Sequence, residues 1–346
     1  MKKILAMMLT AAMMLSMGTA AMAANIDKDG ETITYPETDP YTDIVKVTLD
    51  KTYTVTNAGT TYPTEKFEFT IARDAVTDAA EGVTAENMPL PTIVNGGVEF
   101  TSASNTSTKQ ITIELPTYSS VGVYTYIIKE TVGDTAGVTY WEDEDGVSKE
   151  IRLKVTVIQD ADKKIRVAAV RTDDGETKTD DIENVYNAGS LAVKKTVTGI
   201  LGDKEKYFAI TITLNGVEGE DYTGNVITVG NTSYESNPTS VVVDTPATFY
   251  LKDGETIELG NIPYGVTYTV TEENLEDYTE NITGGDANGA GIVDSAAETL
   301  VDVTNNKEGT VDTGISVDSI PYIAMLGVVA IGGTGFMVSK KRRSED

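Results

Sequence analysis

Gly122-Val123-Tyr124-Thr125-Tyr126-Ile127-Ile128-Lys129-Glu130 is the stretch that decides the fold class. Tyr124, Tyr126 and Ile128 recur at every second position, the spacing of one face of a β-strand. Glu130 continues that face, so a carboxylate is carried toward the interior with the aromatic residues. Segments of the same kind run from Thr48 to Thr56, Lys66 to Ile71, Gln110 to Leu115, Glu150 to Ile158 and Ile165 to Val170. Asp-Gly pairs at 29–30, 145–146, 174–175 and 253–254 are hairpin-turn signals. Helical periodicity is nearly absent. The expected architecture is therefore all-β, with strands at the spacing of β-sandwiches.

The chain has 346 residues, without cysteine or histidine. No disulfide can stabilise it, and Cys-protease, Ser-His-Asp and His-metal chemistries are excluded. Acidic residues number 54 against 27 basic, a net charge of −27. That balance argues against nucleic acid and anionic lipid as partners and fits a solvated extracellular surface. The run Glu142-Asp143-Glu144-Asp145 lacks the spaced ligands and distal Glu of a calcium loop, and reads as a solvated hairpin tip. No metal or cofactor is expected.

Both ends read as targeting segments. Met1-Lys2-Lys3, the apolar stretch from Ile4 to Met17 and Ala21-Met22-Ala23 have the order of a secretory signal peptide spanning 1–23. At the other end, Thr310-Val311-Asp312-Thr313-Gly314 precedes an uncharged apolar run from Ile320 to Val338 and the cations Lys340-Lys341-Arg342-Arg343. A run of nineteen residues, interrupted only by Tyr322, Thr334 and a few glycines, is about the length of a membrane-crossing helix, and a basic tail stays cytoplasmic. The region between is expected on the outside, as two domains, 24–188 and 189–308.

That division rests on an internal duplication. Val45, Val47 and Leu49 bring Lys51 onto their face; Leu191 and Val193 do the same for Lys195. Glu130 in the first half is matched by Glu272, which follows Val266, Tyr268 and Val270. Each half then ends on an asparagine expected to point inward, Asn187 after Val185 and Asn305 after Val301 and Val303. The Lys-to-Glu separations are 79 and 77 residues, whereas the Glu-to-Asn separations are 57 and 33. An insertion is therefore expected in the first half, around Ile151 to Asp180.

A buried lysine, glutamate and asparagine brought together have one reaction open to them. Desolvation favours a neutral, nucleophilic amine and a protonated carboxyl that can polarise the carboxamide and pass protons. Attack on the asparagine side chain expels ammonia and leaves a Lys-Asn isopeptide bond. This is self-processing, run once per site, and no turnover enzyme is expected. A single such set would read as a buried ion pair with a hydrogen-bonded asparagine nearby; two sets in the same order favour the reaction.

Val47-Thr48-Leu49-Asp50-Lys51, the 122–130 strand, Leu191-Ala192-Val193-Lys194-Lys195 and Thr304-Asn305-Asn306-Lys307 resemble the shaft pilins of Gram-positive bacteria. Tyr250-Leu251-Lys252-Asp253-Gly254-Glu255, Asn261-Ile262-Pro263 and Tyr268-Thr269-Val270-Thr271-Glu272 are similar to the second domain of the two-domain streptococcal T-antigen type. The resemblance implies tandem Ig-like, CnaB-type sandwiches, with Lys51-Asn187 and Lys195-Asn305 bonds and Glu130 and Glu272 as acids. It also implies that a sortase cuts between Thr313 and Gly314 within a sorting signal at 309–346. The familiar proline is missing from that motif, and Asp312 stands in its place.

Polymerisation into a pilus would then join Thr313 to a lysine of the next copy. The resemblance points to the region of Lys178, with Lys163 and Lys164 as alternatives. The implied partners are a sortase, copies of the chain joined head to tail, tip and basal pilins, and peptidoglycan. The implied location is the cell surface and wall, reached through a membrane-anchored precursor with a cytoplasmic tail. A wall-anchored adhesin that carries the same bonds but never polymerises is the competing expectation.

Overall fold

The computed structural model describes residues 24–27, 32–33 and 43–309, apart from 58–59, 105–106, 161, 231–232 and 274. The leader at 1–23, the Thr313-Gly314 pair, the apolar run at 320–338 and the basic tail lie outside the described residues. Among the described residues the fold is all-β, and the helical element is one 3-10 turn at Val94–Gly96. The strands form four sheets that enclose two hydrophobic cores. One core is built by residues between Ile44 and Ala188, and the other by residues between Leu191 and Val303.

The quoted stretch forms the Gly122–Glu130 strand, and its burial alternates along its whole length. It lies in the middle of a five-stranded sheet, between Glu65–Thr77 and Glu150–Gln159. Thr267–Glu272 is the corresponding strand of the second half, flanked by Phe208–Asn215 and the three-residue strand Ala290–Ile292. Glu150–Gln159 therefore has only a short counterpart, and it continues into an antiparallel hairpin with Ile165–Asp173. This hairpin takes up the extra length expected between Glu and Asn in the first half. Asp143–Asp145 forms an exposed tip, where Asp143 accepts the N–H groups of Asp145 and Val147.

In the facing sheets the lysine strands pair in parallel with the last strand of each half. Ile44–Val55 runs beside Asp181–Tyr186, with Ile182 opposite Lys51 and Asn184 opposite Tyr53. Ala188–Thr198 runs beside Thr299–Asn306, with Val303 opposite Lys195 and Asn305 opposite Val197. In each half an asparagine thus sits opposite the residue two beyond the lysine. The lysine strand and the last strand of a half are hydrogen-bonded neighbours, although more than a hundred residues separate Lys51 from Asn184 and Lys195 from Asn305.

The two halves meet through backbone contacts. Asp221 donates its N–H to Asp134 O at 2.7 Å and accepts from Ala136 N at 2.9 Å. Thr64 N donates to Gly224 O at 3.0 Å, and Tyr264 N to Asn187 O at 3.1 Å. A side chain at Gly224 would put its Cβ 2.5 Å from Thr64 O, so this approach requires glycine.

Candidate functional site: two buried lysine, glutamate and asparagine trios

Lys51 and Lys195 are fully buried. Strand alternation puts both on the inner face, and nothing on that face supplies water to an ammonium. Lys51 Nζ lies 2.9 Å from Glu130 Oε1, off the axis of a good hydrogen bond, so the contact is mainly one of charge. Lys195 Nζ donates a hydrogen bond to Glu272 Oε1 at 2.8 Å. An aromatic ring closes each site from the far side. Nζ of Lys51 stands 4.4 Å from the centre of the Phe67 ring, and Nζ of Lys195 stands 4.5 Å from that of Phe208.

The third member differs from expectation in the first half. Asn184 is the asparagine at the site: it is fully buried and donates from Nδ2 to Glu130 Oε1 at 2.9 Å. Asn187 lies past the end of the last strand, where Nδ2 donates to Thr139 Oγ1 at 3.0 Å and reaches Gly137 O at 3.5 Å. The correction is one of strand parity. Ile182, Asn184 and Tyr186 point inward, while Val185 and Asn187 belong to the other alternation, and an odd slip reverses the face of every residue. In the second half Asn305 stands as expected, donating from Nδ2 to Glu272 Oε1 at 3.1 Å.

The two trios therefore share one plan. A single carboxylate oxygen receives both the lysine and the asparagine, and in both trios the asparagine Oδ1 is buried without a hydrogen-bond partner. Rotating the carboxamide by half a turn would place that oxygen against the carboxyl. Burial pushes the Lys51 ammonium down to about 8, opposed by the charge of Glu130. Burial also lowers Lys195, against the hydrogen bond and charge of Glu272, and raises Glu272, against Lys195 and Asn305. Lowered lysines and a raised glutamate move the groups toward the neutral amine and neutral acid that the reaction needs.

Several contributors were missed by the sequence reading. Phe67 and Phe208 are inward residues of strands that pair with the glutamate strands, so alternation alone could have flagged them. Glu65, also buried, accepts hydrogen bonds from the Thr135 hydroxyl and from Tyr140 Oη. No local signal joins those three residues. Lys178 lies on the exposed segment between Ile165–Asp173 and Asp181–Tyr186, where Asp174 accepts the N–H groups of Glu176 and Thr177. Lys163 and Lys164 lie at the hairpin turn after Glu150–Gln159, at the end of the first half away from the second.

An all-β chain with paired, buried Lys-Glu-Asn sites defines a class of sandwich proteins in which the three side chains converge inside each domain. Residues 43–187 match the family model described as a Spy0128-like isopeptide containing domain, and residues 189–307 match a domain of unknown function. A pilin of Streptococcus pyogenes serotype M1 is 30% identical over 315 residues, covering 86% of this chain and 91% of that protein. The crystal structure of the major pilin from Streptococcus pyogenes superposes with a TM-score of 0.50 at 26% identity, covering 77% of this chain and 99% of that one. A pilus tip adhesin of the same species is 34% identical over 131 residues, covering 37% of this chain and 18% of its own length. The chain belongs to the pilin family whose members carry isopeptide-containing domains. It is a structural pilin subunit, and it takes its place with other pilins at the cell surface.

Proposed function

We propose that the chain is a major shaft pilin whose domains, 24–188 and 189–308, are each locked by a self-formed isopeptide bond, Lys51 to Asn184 and Lys195 to Asn305. The observation that carries this reading is the shared register, in which both asparagines meet the glutamate oxygen that also holds the lysine. The neutral amine attacks the asparagine Cγ, and Glu130 or Glu272 passes one amine proton to the departing nitrogen. One ammonia leaves, one amide forms, and the glutamate ends as it began. Intact mass of the exported region tests this: loss of two ammonia molecules is expected, and an unshifted mass would overturn it.

The pH dependence follows from proton counting. A neutral lysine with a protonated glutamate and the corresponding ion pair hold the same number of protons, so pH does not alter their ratio. The reactive form is lost when the pair gives up its shared proton, which for Lys51 happens at about 8. First-site bond formation is expected to be flat through neutrality and then to fall about tenfold per pH unit above that value. Initial rates followed by mass decide it; a rate that keeps climbing in alkali would show that no carboxyl proton is used.

The subunits are joined, in this reading, by a sortase that cleaves between Thr313 and Gly314 and transfers Thr313 to Lys178 of the next copy. The leader at 1–23 directs export, and the helix at 320–338 with its basic tail holds the precursor until transfer. Wall extracts should then show a ladder of covalent multimers under denaturing electrophoresis. Lys178→Ala is expected to reduce that ladder to monomer. A ladder that survives Lys178→Ala but not replacement of Lys163 and Lys164 would move the acceptor to the hairpin turn.

A further inference from the structure

We propose that the second domain helps to build the first domain's reaction site, through the loop between the Gly122–Glu130 and Glu150–Gln159 strands. This inference rests on the isopeptide reading above. The loop leaves the sheet directly after Glu130 and at once meets the other domain. Asp134 and Ala136 exchange backbone hydrogen bonds with Asp221 at 2.7 and 2.9 Å. Asn225 donates from Nδ2 to Ala136 O at 3.2 Å and to Tyr186 Oη at 3.0 Å, so it ties the loop to the strand that carries Asn184. Gly137, at a φ of +78°, would bring a Cβ within 3.1 Å of Pro263, and this packs the crest of the loop against the second domain.

The same loop returns to the acid. Trp141 N donates to Glu130 Oε2 at 3.3 Å, while Oε1 faces both Lys51 and Asn184. An N–H group cannot accept a proton and bonds best to a carbonyl oxygen, so this contact favours a neutral Glu130 with its hydrogen on Oε1. That is the oxygen which must polarise the carboxamide and hand a proton to the departing nitrogen. In the second trio the lysine and asparagine likewise converge on Oε1 of Glu272, but among the described residues the segment after that acid bonds back within its own half, Glu273 N to Ala209 O and Tyr278 N to Leu275 O. Trp141 and Asn225 are thus positioning residues for one site and not for the other.

The two sites in one molecule supply an internal control. The exported chain is made by cell-free synthesis, samples are quenched in acidic denaturant, and each bond is timed by intact mass and by the crosslinked peptides. Trp141→Pro is expected to slow the Lys51-Asn184 bond about tenfold, the factor for loss of one hydrogen bond at a reacting group, and Asn225→Ala, which frees the loop from the strand of Asn184, is expected to slow it in the same direction. The Lys195-Asn305 bond should keep its rate. Trp141→Ala, which retains the N–H, should form both bonds normally. This contrast separates a donor role from mere packing, and the same changes in a Lys51→Ala background report folding by circular dichroism. Unchanged first-site rates in Asn225→Ala and Trp141→Pro would overturn the inference and leave the isopeptide reading intact. Absence of the first bond from the unaltered chain would overturn both.

Discussion

Asn184→Ala is expected to abolish one of the two ammonia losses, whereas Asn187→Ala should retain both. The two residues are three positions apart, yet only Asn184 reaches the oxygen of Glu130 that faces Lys51. Loss of the first crosslink also opens a loop of more than a hundred residues. In the chain-entropy model used for disulfides, closing such a loop contributes about 4 to 5 kcal/mol. Asn187→Ala removes only a partly exposed pair of hydrogen bonds, to Thr139 and Gly137, for about 0.5 to 1.5 kcal/mol. Mass spectrometry and calorimetry of the two variants should therefore diverge together. A missing crosslink in Asn187→Ala with an intact one in Asn184→Ala would sink the assignment made from the register.

Glu130→Ala should show the larger loss of stability. It removes the proton carrier, so the first crosslink fails to form, and it leaves a fully buried Lys51 facing the Phe67 ring without an anion. Breaking a buried pair by removal of one partner costs about 3 to 5 kcal/mol, added to the missing loop closure. Together these lower the melting temperature of the first domain by roughly 15 to 40 °C. The second domain's crosslink, which uses Glu272, should still form, so the mass shift falls from two ammonia molecules to one. Two melting transitions are expected, with only one displaced. A single unshifted transition with both ammonia molecules lost would assign the proton transfer to another group.

The position of these crosslinks bears on what a shaft subunit must do. With the proposed joint at Lys178, tension in a fibre one subunit wide enters the first domain just ahead of Asp181–Tyr186 and leaves along that strand, whereas it crosses the second domain from Ala188–Thr198 to Thr299–Asn306. In both halves the lysine strand and the last strand are parallel neighbours, and the proposed bond joins them directly. In the second domain load can then pass along the pair while the rest of the sandwich stays unloaded, and in the first the bond ties the loaded last strand to Ile44–Val55. In a chain without cysteine, the proposed linkage is one that reducing conditions do not break.

Much of this was legible in the residues. Alternation along 122–130 predicted both the strand and the inward direction of Glu130, and it did the same for Lys51, Lys195 and Asn305. In the last strand of the first half both alternations offer an apolar residue ahead of an asparagine: Ile182 before Asn184, and Val185 before Asn187. Nothing local separates them. The choice between them is made by pairing with Ile44–Val55, where Ile182 falls opposite Lys51.

The residues alone carry the class of fold and the inward direction of Lys51, Glu130, Lys195, Glu272 and Asn305. These follow from a period-two pattern, in which each side chain's face is set by its own strand. Only the tertiary structure decided the asparagine of the first trio, the aromatic ring over each lysine and the contact of one domain with the loop that reaches the other's acid. Those depend on the register between strands far apart in the chain and on how two domains abut. Such relations arise when the sheets close around their cores, and no local repeat encodes them.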